Sequence, residues 1–509
     1  MRKWSPLVAV SLGTFMLLVD VTIVNVALPS MALALDTSFT ALQWVIDGYS
    51  LALAALLLVA GACADRYGRR AAYVGGVALF ALASLACGLA PSPEALVAAR
   101  LVQGIGAAAM FAATTALLQS SYTGRDRGTA FGVWGAVSGA SAAAGPILGG
   151  LLTEGVNWRA IFLVNIPVAV VTVVLTWKVV PETRNPAGRV DWAGGAAFTV
   201  AAAALTYALI AGGEHGWSGP RTVSGLAIAA VALLGFVAVE RKQAHPLLDL
   251  RLFRSASFTA LMIAAVVLQG AAFGPLAYVS VWLQSLLGLG PVDAGLVVLP
   301  LCVASFVVSA AVGRLLHGIS PRMPVGVGLL FIGAGALLMT LVGPGSGWGA
   351  LVPGLAVAGV GVGLATPVLV SATLAAVPHE RAGMAGAAVN TFRQLGMALG
   401  IAVLGTLFSG RLEDSLHATV TDAHATAAGL SRGAAQSILA HAPQLNEAAH
   451  RAFADGLDLI FLGSGVAALL GGVLVLAVVR PAARNPQTTV PVDNFSIDQT
   501  REVHSSPTH

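Results

Sequence analysis

Gly61-Ala62-Cys63-Ala64-Asp65-Arg66-Tyr67-Gly68-Arg69-Arg70 is a dense charge cluster that lies between two long apolar runs. A loop this short that joins two membrane spans must turn tightly at the water interface. Glycines supply the backbone freedom for such a turn, and cations hold the loop on the cytoplasmic side. The stretch therefore predicts a membrane protein with several spans, in which this loop has a specific role.

The composition indicates the same class of protein. The chain is 57% hydrophobic and 10% charged over 509 residues, and its mean hydropathy is +0.84. Soluble domains carry about 25% charged residues, so a soluble fold is excluded. The net charge of +4 comes from cations between apolar runs, which indicates topology and not nucleic-acid binding. Cys63, Cys87 and Cys302 lie in or beside apolar segments, where we expect packing and neither a disulfide nor a metal site.

A spanning helix needs about 20 mostly apolar residues. The first such run is too long for a signal peptide and contains Asp20, so we expect it to be retained as a span. The sequence predicts an all-α integral membrane protein with fourteen spans: 6–29, 44–64, 71–90, 95–119, 128–152, 159–180, 193–211, 222–240, 256–284, 292–313, 323–343, 349–377, 384–409 and 456–480.

The distribution of cations predicts the orientation. Twenty of the 27 Lys and Arg residues lie near the N-terminus, in alternate loops and in the C-terminal tail, whereas five lie on the opposite side. By the positive-inside rule both termini are cytoplasmic, in a multi-pass protein of the cell membrane. Residues 410–455 then form an external loop with short surface helices, and the polar tail 481–509 is expected to be disordered.

A weak internal repeat predicts the domain organisation. Residues 313–322 are weakly similar to residues 61–70 and lie eight predicted spans further along the chain. We therefore expect a six-helix half at 1–180, a linker with two extra transmembrane helices at 181–255, and a second six-helix half at 256–480. Duplicated halves place a substrate site at the midplane between them.

Several motifs resemble those of the major facilitator superfamily, and in particular its fourteen-span drug:proton antiporters. Residues 61–70 resemble motif A, and 96–108 resembles motif B. The Gly-Pro segment 145–150 resembles the antiporter motif C, and 18–29 and 158–167 resemble two signatures of the fourteen-span branch. The matches run in order from the first span to the thirteenth. The resemblance implies the major facilitator fold, alternating access and a proton gradient as the energy source.

Two charged residues deep in predicted spans are candidates for proton coupling. A carboxylate at the depth of Asp20 costs about 2.5–3.5 kcal/mol on insertion scales, so it must face a cavity or a partner. The resemblance implies that Arg100 takes part in coupling, since a fixed cation near a carboxylate controls when it binds a proton. Alternatively, Asp20 only bonds a neighbouring helix, through Thr22 or Asn25, and Arg100 extends to the outer surface.

The motif A loop is a candidate cytoplasmic gate, formed by Gly61, Asp65, Arg66, Gly68, Arg69 and Arg70. The carboxylate of Asp65 can accept hydrogen bonds from the N-terminal amides of a helix in the other half. Residues 381–384, which open the thirteenth span, belong to the helix that the resemblance would pair with this loop. Alternatively, the loop only anchors the topology.

The antiporter motif is a candidate packing device, formed by Gly145, Pro146, Gly149 and Gly150. Its glycines allow another helix to approach closely, and its proline removes a helical hydrogen bond and bends the span. Such a bend can seal the cavity against proton leak. Close packing without a transport role is the alternative.

Polar and aromatic residues within the spans are candidates for the substrate cavity. Few acids lie deep in the membrane, so we expect neutral or monovalent amphipathic substrates. Trp and Tyr also form interfacial belts, which is the alternative for each aromatic residue. The candidates are Thr22, Asn25, Trp44, Asp47, Tyr49, Gln103, Trp134, Tyr278, Trp282, Gln284, Asn390, Arg393 and Gln394.

The sequence favours a proton-coupled antiporter that exports drugs, antibiotics or amphipathic secondary metabolites. The chain has no nucleotide-binding P-loop, zinc triad or Ser–His–Asp arrangement, so we expect neither an enzyme nor a cofactor. The expected partners are a small substrate, protons and the lipid bilayer, with the protein as a monomer. A proton-coupled nutrient or peptide importer is one alternative, although the E-x-x-E-R motif of peptide importers is missing. A transport-inactive receptor with the same fold is the other.

Overall fold

The computed structural model describes residues 2–37, 39–184, 190–243, 246–315, 320–377, 381–417, 419–420, 422–431 and 433–480. Within these ranges the chain forms helices and no strand. The predicted disordered tail, 481–509, lies outside the described residues, as do parts of the predicted linker and of the 313–322 loop.

The helices form an N-terminal group, a hairpin and a C-terminal group. The N-terminal group comprises α1 (Ser5–Ala34), α2 (Phe39–Tyr67), α3 (Arg69–Gly88), α4 (Pro93–Ser121), α5 (Gly124–Gly155), α6 (Ala160–Leu163) and α7 (Asn165–Val179). The hairpin consists of α8 (Trp192–His215) and α9 (Pro220–Glu240). The C-terminal group comprises α10 (Ala256–Val281), α11 (Pro291–Val297), α12 (Leu299–Leu315), α13 (Arg322–Met339), α14 (Val352–Ala375), α15 (Ala382–Leu416), α16 (Ala423–Ser431), α17 (Ala435–His441) and α18 (Asn446–Val478).

Each of the fourteen predicted segments coincides with helix, but the count of fourteen spans is not confirmed. Twelve helices of the described chain are long and apolar enough to cross a membrane. A thirteenth is α5, which bends by 44° just before Pro146, where the proline cannot donate to the preceding turn. The predicted segment 292–313 is divided between α11 and α12, and its apolar part Leu299–Val312 falls short of a full span.

The predicted external segment 410–455 is more helical than the sequence indicated. α15 extends into it as far as Leu416, and α18 already begins at Asn446. Between them, α16 and α17 contribute buried side chains to the same hydrophobic cluster as Phe408 and Phe453. The segment therefore packs onto one end of the C-terminal helices.

The two groups of helices close tightly against each other at the end of the bundle that carries residues 61–70. α2 and α4 pack against α15, and α5 packs against α12 and α14. Residues 382–391 of α15 and 110–119 of α4 are buried on every side of their helices. From Phe392 onward the side chains of α15 are mostly part-exposed. The structure is therefore closed at the 61–70 end.

Glycines allow α3 to approach α4 closely, and the adjacent glycines Gly75 and Gly76 provide a test. A Cβ added at Gly76 would lie 2.6 Å from the backbone nitrogen of Met110 and 2.9 Å from the carbonyl oxygen of Gly106, whereas one added at Gly75 meets nothing within 4 Å. We expect Gly76→Ala to destabilise the protein by about 1–3 kcal/mol, because the two backbones must separate. Gly75→Ala is the matched control. Thermal unfolding in detergent checks this, and equal melting temperatures for the two variants would contradict the packing argument.

Candidate functional site

The carboxylate of Asp20 lies on α1 with no exposed surface and is held by three side chains from the same group of helices. Its Oδ2 atom accepts a hydrogen bond from Arg100 Nη1 on α4, in an ion pair. Its Oδ1 atom accepts hydrogen bonds from Gln103 Nε2 at 3.0 Å and from Asn165 Nδ2 at 2.9 Å. The charge is therefore compensated, and both oxygens are occupied.

The guanidinium of Arg100 is also fully buried and does not reach the outer surface. Its Nε atom donates to the carbonyl oxygen of Val45 at 3.0 Å, and its Nη1 atom donates to Gln103 Oε1 at 2.8 Å. The ring of Tyr49 lies beneath it, with the ring centroid 4.2 Å from the guanidinium carbon. α1, α2 and α4 together fix this cation beside Asp20.

Ser84 on α3 joins the same polar cluster at the point where α6 breaks from α7. Its Oγ atom donates to the carbonyl oxygen of Phe162 at 2.8 Å and accepts from Gln103 Nε2 at 3.3 Å and Asn165 Nδ2 at 3.1 Å. Ser84 and Asn165 are not among the site residues that the sequence predicts. A buried amide within the apolar segment 159–180 was the available signal, since polar groups inside a membrane need partners.

The motif A loop contacts the first turn of α15 directly. Asp65 Oδ1 accepts from the backbone nitrogen of Gly383 at 3.1 Å, and Oδ2 accepts from the backbone nitrogen of Met384 at 3.0 Å. Arg69 Nε donates to Asp65 Oδ1 at 2.9 Å, and Arg69 is itself buried. One carboxylate thus connects α2, α3 and the start of a helix in the C-terminal group.

Glycines permit this contact. A Cβ at Gly383 would collide with the Asp65 carboxylate, and a Cβ at Gly61 would lie 2.9 Å from the carbonyl oxygen of Gly383. Gly68 has φ = 128°, a conformation that L side chains rarely adopt. Behind it, Glu182 accepts hydrogen bonds from the backbone nitrogens of Arg70 and Ala71 at 3.0 Å each, a contact that no pattern in the sequence indicates.

Arg70 Nε lies 3.8 Å from Glu182 Oε2. The Arg70 guanidinium lies 5.1 Å from the ring centroid of Trp177, and Arg66 is half-buried.

The antiporter motif packs α5 against helices from both groups. A Cβ at Gly149 would lie 2.9 Å from the carbonyl oxygen of Ile23 on α1, and Gly145 lies against Thr22 on the same helix. On the opposite side, Gly150 lies against Val292, and Pro146 lies against Gly295 of α11. The motif therefore lies at a junction of α1, α5 and α11.

The predicted cavity residues fall into separate environments. Tyr49 and Gln103 belong to the Asp20 cluster, and the fully buried Trp134 donates from Nε1 to Thr14 Oγ1 at 3.1 Å. The others lie elsewhere: Trp44 stacks on Tyr207 of α8, Trp282 is buried, and Asp47 and Gln394 are part-buried. Tyr278 donates a hydrogen bond to the carbonyl oxygen of Ile401, and Gln284 donates one to Ser280 Oγ. Thr22 donates to the carbonyl oxygen of Val19, in the preceding turn of its own helix. The side chain of Asn25 lies outside the described part of the chain.

Arg393 and Asn390 lie together on α15. Arg393 Nε donates to Gln269 Oε1 on α10 at 3.3 Å, and Arg393 Nη1 donates to Asn390 Oδ1 at 3.4 Å. Gln269 was not selected from the sequence. Among the residues that the structure describes, the predicted site residues thus form two polar centres, one around Asp20 in the N-terminal group and one around Arg393 in the C-terminal group.

Comparison with known proteins identifies the family. The sequence model of the Major Facilitator Superfamily matches residues 10–401. Similar proteins include the Multidrug resistance protein Stp of Mycobacterium tuberculosis, 38% identical over 82% of this chain and 78% of that protein. Others are the Tetracenomycin C resistance and export protein of Streptomyces glaucescens, 34% identical over 96% and 94%, and the Drug efflux pump JefA of Mycobacterium tuberculosis, 34% identical over 94% and 98%.

Two solved structures share the fold at low sequence identity. The human organic anion transporter MFSD10 has a TM-score of 0.60 at 16% identity, covering 93% of this chain and 99% of that one. The proton:xylose symporter XylE has a TM-score of 0.62 at 13% identity, covering 94% and 96%. With the helical architecture and the matched residues, these findings establish that the chain is a multi-pass membrane protein that belongs to the major facilitator superfamily.

Proposed function

We propose that the protein is a monomeric antiporter that exports drugs, antibiotics or amphipathic secondary metabolites across the cell membrane in exchange for protons. The observation that carries the proposal is the buried ion pair between Asp20 and Arg100. The similar resistance and efflux proteins, whose alignments span most of this chain, support export as the direction of transport.

The ion pair supplies a mechanism for coupling. A proton on Asp20 removes the charge that compensates Arg100 and so releases the carboxylate from the cation. Because Asp20 has no exposed surface in this conformation, the cluster must open before a proton can enter or leave. Proton exchange is thereby tied to a rearrangement of α1 against α4, which is what alternating access requires.

The contact of Asp65 with α15 acts as the cytoplasmic gate in this proposal. Its hydrogen bonds cross between the two groups of helices and can exist only while the 61–70 end is closed. The antiporter motif seals the junction of α1, α5 and α11 against proton leak, by packing glycines against the neighbouring helices.

Fourteen spans with both ends in the cytoplasm complete the proposal, with halves at 1–180 and 256–480 and two extra helices at 181–255. Reporter fusions after Gly216 and Gly429 should read as external, and fusions after Arg189, Gln243 and Pro486 as cytoplasmic. A cytoplasmic signal at Gly216 would show that the extra hairpin, α8 and α9, does not cross the membrane. A cytoplasmic signal at Gly429 would reverse the orientation of the C-terminal half.

Transport in everted membrane vesicles tests the function. Vesicles with an imposed pH gradient, acidic inside, are offered a panel of fluorescent or radiolabelled amphipathic compounds without ATP. We expect the vesicles that contain the protein to accumulate some of these compounds to a higher level than vesicles without it. Accumulation that requires ATP or runs only in the opposite direction would refute proton-driven export.

A further inference from the structure

We propose that Arg393, Asn390 and Gln269 form a binding site for an anionic group of the substrate, so that the preferred cargo is an amphipathic organic anion. The inference rests on the proposed efflux function and narrows it to one charge class. It comes from a contrast between the two arginines that lie within spans.

Arg100 has a carboxylate partner, whereas the hydrogen bonds of Arg393 to the described residues go to neutral groups. Its hydrogen bonds go to the amide oxygens of Gln269 at 3.3 Å and Asn390 at 3.4 Å. Among the described residues, no Asp or Glu oxygen lies within 4.0 Å of its guanidinium. Arg393 lies eleven residues after Ala382, the first residue of α15, and so about 16 Å along the helix. A cation at that depth without a counter-charge is expensive and marks a functional position.

Asn390, which lies beside Arg393, also has a hydrogen-bond donor without a partner among the described residues. Asn390 has no exposed surface, and its Nδ2 atom is buried without a hydrogen-bond partner. A guanidinium has five N–H donors, and the two contacts of Arg393 use one hydrogen on Nε and one on Nη1. Asn390 Nδ2 and the remaining N–H groups of Arg393 therefore lie near one another, and no Asp or Glu of the described chain pairs with this arginine. A bound carboxylate, sulfonate or enolate would supply a negatively charged acceptor.

The burial pattern of α15 changes at this position. Residues 382–391 are buried on every side, and Phe392, Arg393, Gln394 and Leu395 are all part-exposed. Four consecutive residues point in directions that cover a full turn of the helix, so the exposure is not confined to the lipid-facing side. Arg393 thus lies where the fully buried part of α15 ends, which is where a substrate would meet it.

The chemistry of the site determines the selectivity. In a low-dielectric environment an uncompensated guanidinium attracts an anion strongly and repels a cation. A quaternary ammonium compound would bring a second positive charge to the site. The repulsion between the two charges would lower the affinity for cations. A neutral analogue would keep its apolar contacts and lose only the charge-assisted hydrogen bonds.

The test uses one fluorescent aromatic scaffold that carries a sulfonate, a sulfonamide or a trimethylammonium group, because these charges stay fixed across the pH gradient. Affinity is measured for the purified protein in nanodiscs, and transport is measured in proteoliposomes. Each is expressed as the ratio of the value for the sulfonate to the value for the sulfonamide. We expect a wild-type ratio of about ten or more, since a hydrogen bond to a charged group is worth about a factor of ten. Arg393→Gln should bring the ratio to about one, and Arg393→Lys should keep most of it. Arg451→Gln, which removes an exposed cation paired with Glu447, should keep the wild-type ratio.

The outcomes separate the two proposals. Wild-type transport of all three probes with equal efficiency leaves efflux standing and overturns the anion site, and this result requires no variant. A ratio in Arg393→Gln equal to that of the wild type also overturns it. Failure of the wild type to transport any panel compound under a pH gradient overturns the proposed function itself.

Discussion

Replacing Asp20 with Asn is expected to abolish pH-driven efflux and to leave the protein folded in the membrane. The amide keeps the shape of the carboxyl group but cannot release a proton. It also mimics the protonated form, which the transporter must adopt in each cycle, so the helices around it remain assembled. Accumulation of substrate in everted vesicles should fall to the level of vesicles without the protein.

Asp36→Asn is the matched control for this prediction. Asp36 lies just beyond the end of the same helix, is exposed and has φ = 47°, a backbone conformation that asparagine tolerates well. This variant should transport normally. Normal pH-driven transport by Asp20→Asn would remove Asp20 from the coupling mechanism.

Replacing Asp65 with Asn is expected to shift the conformational equilibrium away from the form that is closed at the 61–70 end. The variant loses the charge that pairs with Arg69 and accepts from the amides of Gly383 and Met384. The expected shift is about 1–3 kcal/mol, which corresponds to a roughly 5- to 150-fold change in the ratio of the two forms. Labelling of single cysteines introduced at this mouth, in a background without the three native cysteines, measures it.

Asp126→Asn is the control for the gate. Asp126 is a carboxylate at the same end of the bundle, but its partner, Lys3, belongs to the same group of helices. Its loss should not change the labelling. If Asp65→Asn labels like the wild type, the contact with α15 is not a gate, and the loop only anchors the topology.

The sequence located the helices well, because each apolar run is long enough to be distinguished from the loops beside it. It did not establish the number of spans. The interruption between α11 and α12 falls within an apolar segment, where α11 packs against α5 through Gly295 and Pro146. That contact joins residues far apart in the chain, so no local pattern shows it.

The faces of the buried helices were the least predictable feature. α4 is apolar nearly all round, so it has no polar face that would show where Gln103 points. The sequence predicts Gln103 as a cavity residue, and the structure shows that its side chain bonds both Asp20 and Arg100. Ser84, Asn165 and Gln269 acquire their significance only when α3, α7 and α10 come together with their partners.

Proton movement driven by substrate tests the central claim most directly. Proteoliposomes that contain the purified protein and a pH-sensitive dye are given a pH gradient, acidic inside, and then an exported compound. We predict that the compound causes protons to leave as it enters, in wild-type proteoliposomes and not in those with Asp20→Asn. Substrate uptake that persists unchanged after a protonophore has collapsed the gradient, with no proton movement, would contradict proton-coupled efflux.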